Sequence, residues 1–164
     1  MPAREVVALL RGTGLTVACA ESLTGGALVS ALVDVPGASA VVRGGVVAYA
    51  TELKSALLGV DATLLAANGP VDPDVARQMA DGVRTRLGAD IGLSTTGVAG
   101  PATQHGHPVG TVFIAASTAH RVVVRGWRLV GTRDALRTAT VLAALALLRG
   151  SVLETGNNSG MAGV

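Results

Sequence analysis

The sequence predicts a single α/β domain, a three-layer α/β/α sandwich around a mixed, mostly parallel sheet. Three observations carry this. Short apolar runs alternate with helix-length amphipathic segments, glycines cluster where the runs end, and two apolar runs at 109–117 and 120–130 lie close enough to pair as a hairpin. Alternation of strand and helix gives parallel neighbours, whereas the hairpin adds an antiparallel pair. At 164 residues the chain is one domain by length, assigned to 1–154, with a small polar tail over 155–164 expected to be disordered.

Taken in order, residues 4–12 read as a first helix, ended by Gly12 and Gly14. Leu15 to Ala20 is an apolar run suited to a buried strand, and Glu21 to Gly26 turns it into a helix over about 25–34. Pro36-Gly37 and Arg43-Gly44-Gly45 bracket a loop. Val46 to Ala50 reads as the second strand, Glu52 to Leu58 as a short helix stopped by Gly59, and 61–67 as a weaker one closed by Asn68-Gly69-Pro70. Asp72-Pro73-Asp74 starts a helix: Asp caps, Pro takes the first position, and a second Asp suits the positive helix end. Val75, Met79, Val83 and Leu87 form its apolar stripe. Residues 90–96 form the third strand, followed by Gly97 to Pro101 and a polar loop. Thr132 caps a last helix running to about Arg149.

Hydrophobic residues make up 49% of the chain, yet only Tyr49, Phe113 and Trp127 are aromatic, so the core must be built from Ala, Val and Leu. No apolar run reaches the roughly 18 residues a membrane span needs, so a transmembrane helix is not expected, and the early Arg4 and Glu5 suit an amphipathic helix better than a signal peptide. No membrane partner is expected. The one cysteine, Cys19, excludes a disulfide framework and fits a reducing, cytoplasmic location. A net charge of +2, scattered arginines and scarce aromatics argue against nucleic-acid binding.

Of the 13 basic residues all but Lys54 are arginines. Coding bias explains the arginines and leaves Lys54 as either a surface residue or a retained base. Arg stays protonated, whereas a desolvated Lys can shed its proton near neutral pH. Ser22 sits where a buried strand turns into a helix, at a carboxyl strand end where open α/β sheets bind ligands. The helix start beyond it offers backbone N–H groups for an anion, and Thr24-Gly25-Gly26 permits close approach. A plain capped turn is the alternative. Tyr49 and Lys54 follow the next strand and can face the same sheet edge, so that Lys54 would activate Ser22 as a nucleophile. Tyr49 could equally be a core tyrosine.

The pattern is not that of short-chain dehydrogenases, which need Tyr and Lys four apart, nor of penicillin-binding enzymes, which need S-x-x-K. A Walker phosphate loop is absent. Thr96, Gly97 and Gly100 form a second loop that could line a site. His105-Gly106-His107 has no Cys or carboxylate cluster beside it and reads as a flexible loop, not a metal site. Arg133 and Arg137, four apart on one helical face, form either a fork for phosphate or a pair of solvated surface arginines.

Together these pieces resemble the CinA carboxy-terminal domain family, whose characterised members include nicotinamide-nucleotide amidohydrolases. The resemblance covers about Glu5 to Arg149. It rests on Ala20-Glu21-Ser22-Leu23-Thr24-Gly25-Gly26, Gly44 to Tyr49 with Lys54, Leu57 to Val60, Thr96 to Pro101, Pro108 to Val112, and Gly131-Thr132-Arg133 with Arg137. It implies a metal-free and cofactor-free serine amidohydrolase acting on a mononucleotide: Ser22 attacks the nicotinamide carboxamide, Lys54 accepts its proton, and Tyr49 orients or relays. Thr24, Gly25, Gly26, Thr96, Gly97, Gly100, Arg133 and Arg137 would hold the substrate, and a homo-oligomer is expected. Thr51 and the loop 102–107 depart from the family's usual pattern. The competing reading is a pyridine-nucleotide-binding or regulatory protein with little or no turnover.

Overall fold

The computed structural model describes residues 2–161. Its elements are α1 (Pro2–Thr13), β1 (Val17–Glu21), α2 (Ala27–Val33), a 3-10 turn (Ala38–Ala40), β2 (Val42–Val47), α3 (Thr51–Leu58), α4 (Ala62–Asn68), α5 (Pro73–Arg86), β3 (Ile91–Gly97), β4 (Thr111–Ser117), β5 (Val122–Arg128) and α6 (Arg133–Met161). The strands form one sheet in the order β2-β1-β3-β4-β5. The mixed sheet expected from the sequence is present. Its parallel part is confined to β2-β1-β3, and β4 and β5 run antiparallel to their neighbours.

Alternation along β1 divides the core between two layers. Val17 and Cys19 pack with α1, α2 and α6, while Ala18 and Ala20 pack with Leu58, Val75, Met79 and Val83 of α3 and α5. Because β1 is covered on both faces, its sequence is apolar up to Glu21. β3 is also buried but carries Ser94, Thr95 and Thr96, each with a hydrogen-bond partner: Ala76 O at 2.6 Å, Thr24 Oγ1 at 2.7 Å and Pro70 O at 2.6 Å. Asp72 caps α5 as its sequence suggests, accepting from the N–H groups of Asp74 and Val75.

Two expectations are corrected. The second strand is Val42–Val47, not 46–50, and Arg43-Gly44-Gly45 lies within it. Ladder bonds to β1 need only backbone, and α2 packs so closely on this edge strand that a Cβ at Gly45 would sit 3.0 Å from Val29 Cβ. Glycine there is a packing residue, not a loop signal.

The last helix, α6, does not stop at Arg149. Leu148 and Val152 are buried in the same core as α1, and Ser151 and Thr155 hydroxyls donate back to the carbonyls four residues earlier, so packing carries the helix through Gly150. The tail expected from Thr155 therefore begins inside α6, and residues 162–164 lie outside the described residues.

Finally, Arg133–Gly156 is long and apolar enough to cross a bilayer, with mean hydropathy 1.5 in its most apolar window. Scattered polar residues break the apolar run within it. In that window 44% is buried, and Leu136, Leu145 and Leu148 of the helix are among the core residues.

Candidate active site

The chain passes from β1 to β2 on one side and later crosses to β3 on the other. The loops leaving β1 and β3 therefore diverge and open a crevice at the carboxyl edge, the switch point of the sheet. Ser22 is the first residue beyond β1, and its N–H donates to Thr95 O at 3.0 Å. A cavity of about 140 Å³ opens here, lined by Ser22, Tyr49, Lys54, Thr96, Gly97, Gly100 and Arg133, with Leu23, Pro70, Val71, Val98, Ala99, Ala102 and Gln104. Seven of the residues singled out in the sequence thus meet at one place.

Lys54 is the fourth residue of α3, facing inward beside Leu58, and is fully buried. Its Nζ lies 3.1 Å from Ser22 Oγ and donates to Ala48 O at 2.7 Å and, more weakly, to Tyr49 O at 3.4 Å. Burial pulls its pKa from 10.5 down to about 8, against a smaller upward pull from Glu52. The two carbonyls match the two N–H bonds of a neutral amine, which leaves the lone pair for the Ser22 hydroxyl.

Thr24, Gly25, Gly26 and Arg137 do not line the cavity; they stand behind its wall. Glu21, to which the sequence reading gave no role, explains why. Its fully buried carboxylate accepts the N–H groups of Gly26 (3.0 Å), Leu28 (3.0 Å) and Val29 (2.8 Å). The start of α2, expected to offer free donors to an anion, is already occupied by a side chain of the same chain. Arg137 completes the clamp from the other side, donating to Leu23 O at 3.1 Å and Thr24 O at 2.9 Å. The turn that presents Ser22 is thus held by a carboxylate on its donors and a guanidinium on its acceptors. An acid closing a wholly apolar strand just before a helix was the available signal.

Arg133, one turn earlier than Arg137, reaches the cavity mouth instead. It donates to Gly100 O at 2.6 Å and to Tyr49 Oη at 3.0 Å, joining the loops after β2 and β3. Tyr49 is 59% exposed, so it is not a core tyrosine. The loop expected to be flexible is an ordered two-residue hairpin. Gln104 and His107 exchange both backbone bonds, at 3.0 and 2.9 Å, and His105 and Gly106 have positive φ of 46° and 77°, as primed hairpin turns require.

Among the described residues no group of three or more His, Cys, Asp or Glu is placed to hold a metal ion. A larger groove of about 740 Å³ lies between α5 and the β4–β5 turn and contains Arg77, Arg84, Arg86, His120 and Arg121. Arg77, Arg84 and Arg121 are ion-paired, to Asp74, Asp81 and Glu154, and the groove has no serine or cysteine beside a buried base.

The model of the CinA C-terminal domain matches residues 2–152. The chain belongs to the CinA C-terminal domain family. A CinA-like protein of Frankia casuarinae is 54% identical over 88% of this chain and 33% of its own length. Among solved structures, a CinA superfamily protein from Klebsiella pneumoniae superposes with TM-score 0.90 at 31% identity, covering 93% of this chain and 96% of its own. A competence/damage inducible protein from Agrobacterium tumefaciens gives 0.87 at 37%, covering 90% and 91%. The chain spans about a third of the length of the curated relatives it matches. The residues that line the cavity at the β1–β3 switch point all lie within the part of the chain that the family model matches.

Proposed function

We propose that this CinA domain is a serine amidohydrolase that converts nicotinamide mononucleotide to nicotinic acid mononucleotide and ammonia without a metal or cofactor. The observation that carries the proposal is the contact of Ser22 Oγ with Lys54 Nζ, 3.1 Å apart in a cavity where burial brings the amine to about 8. One unit below that value, at pH 7, about a tenth of Lys54 is neutral and able to act as base.

In this mechanism neutral Lys54 takes the Ser22 proton as Oγ attacks the carboxamide carbon. The oxyanion needs donors, and the α2 start is taken by Glu21. Leu23 N–H, next after the nucleophile and in the cavity wall, has no acceptor among the described residues and is the candidate. Protonated Lys54 then gives its proton to the departing nitrogen, the C–N bond breaks, and ammonia leaves. Water, deprotonated by Lys54, attacks the Ser22 ester and frees the acid. The cavity volume suits the carboxamide end of a ligand, with sugar and phosphate outside toward Arg133. A homo-oligomer in the cytoplasm is part of the same proposal.

The test is ammonia release from nicotinamide mononucleotide by purified, metal-free protein, with nicotinamide and glutamine as controls. Release from the mononucleotide alone is expected. Tight binding of that ligand without any release would favour the binding-protein reading instead.

A further inference from the structure

One polar side chain of the cavity has no part in the chemistry above. Ser22 and Lys54 bond each other, Thr96 Oγ1 donates to Pro70 O, and Arg133 bridges Tyr49 and Gly100. Gln104 lines the same cavity, yet its side-chain amide makes no hydrogen bond among the described residues. An exposed glutamine is ordinarily unremarked, because gripping a ligand costs it backbone and side-chain freedom.

Here the backbone share of that cost is already met by the fold. The His105-Gly106 turn fixes Gln104 against His107. The His105 ring lies on Gly69, where a Cβ would come within 2.6 Å of it, and the His107 ring meets Phe113 edge to face at 6.4 Å. Both sides of the hairpin are therefore anchored, one to the α4–α5 connection and one to β4.

The placement of Gln104 also narrows what it can read. Ser22 and Lys54 are buried at the floor, whereas Gln104 and Arg133 are exposed at the mouth. A mononucleotide whose carboxamide carbon sits at Ser22 Oγ and whose pyridine ring fills the cavity would bring its sugar to these exposed residues. Arg133 supplies only donors and a positive charge, which suits phosphate. A neutral amide both donates and accepts, which suits hydroxyl groups that also do both.

We infer that Gln104 is a specificity-determining residue that grips the sugar hydroxyls of the substrate at the cavity mouth. This rests on the mononucleotide amidase reading. The experiment measures ammonia release by wild type and Gln104→Leu, using nicotinamide mononucleotide and its 2′-deoxy and 3′-deoxy analogues. Wild type should lose about 3- to 10-fold in kcat/KM on at least one deoxy analogue, as for one neutral hydrogen bond. Gln104→Leu should lose a similar factor on the full substrate, through KM with kcat kept, and should no longer distinguish that analogue. Thermal unfolding unchanged from wild type is expected, since the replaced side chain is exposed. Should the variant keep the full wild-type preference for the hydroxylated substrate, the role of Gln104 is overturned while the amidase reading stands. A wild-type protein that releases no ammonia overturns both, and that failure is seen before any variant is compared.

Discussion

Glu21 and Lys54 flank the nucleophile, and both are fully buried ionisable side chains, but the protein uses them in opposite ways. Glu21 stands at the start of α2 with three N–H groups closing on its carboxylate. Lys54 stands in the first turns of α3 among neutral acceptors, with no carboxylate bonded to it. A buried charge supplied with fixed dipoles is a structural fastener; a buried charge left without a counter-ion is a group ready to change its proton. Ser22 lies between the two, so one side chain sets its position and the other its reactivity.

The largest effect expected from this contrast falls on Lys54. Lys54→Arg keeps the charge but cannot shed a proton, and should lower turnover by about 10²–10⁴-fold, the usual worth of a general base. Ser22→Ala should lose as much and form no acyl-enzyme, read by intact-mass measurement. Near-normal ammonia release from Lys54→Arg would break the comparison at its root.

Titration sharpens it. The base form of Lys54 is needed, so kcat/KM should rise with pH through a midpoint near 8. Stability follows the same proton. The unfolded chain holds it up to about 10.5 and the folded one only to about 8, so folding releases it in between. The stability of wild type relative to Lys54→Met should therefore rise as pH goes from 8 to 10.5 in urea unfolding. A flat difference would mean that Lys54 is not strained by burial.

At Glu21 the effect should appear in stability. Glu21→Ala leaves three N–H groups without their acceptor, for a loss of about 2–4 kcal/mol, while Glu21→Gln should lose less. Folded Glu21→Gln should keep a pH profile with the same midpoint. A shifted midpoint would give Glu21 an electrostatic role that the fastener reading denies.

The smallest effects separate the two arginines. Arg133→Ala should weaken mononucleotide binding about tenfold more than binding of the dephosphorylated nucleoside, with unfolding unchanged. Arg137→Ala should lower stability by about 1–2 kcal/mol through two lost charge-assisted bonds and spare that ratio. Equal losses for both ligands in the Arg133 variant would remove it from phosphate binding.

Much of this was legible from residue order. Strand and helix alternation, the Asp72-Pro73 start and the hairpin after 109 gave the layered fold, because periodicity and capping act over a few neighbours. Ser22, Tyr49 and Lys54 were legible as strand-end residues, and the lone lysine among arginines marked itself. The second strand was misplaced because Gly44-Gly45 reads as loop until Val29 of α2 is seen packing on it. Gln104 passed unnoticed because its loop reads as polar and unstructured; its order comes from Gly69 and Phe113, far away in sequence.

By itself, then, the chain determined which elements form and which side chains carry reactive chemistry, since both follow from local spacing and residue type. Tertiary structure decided what each arginine of α6 faces and brought Lys54 to Ser22. Arg133 and Arg137 are one turn apart with the same chemistry, yet one reaches the cavity mouth and the other holds the Ser22 turn. Glu21 and Lys54 are equally buried, yet one meets backbone N–H groups and the other carbonyl oxygens and a hydroxyl. The energy of a charge is set by the dipoles around it, and those arrive from the start of α2 and from the loops after β1, β2 and β3, which the folded sheet gathers at one edge.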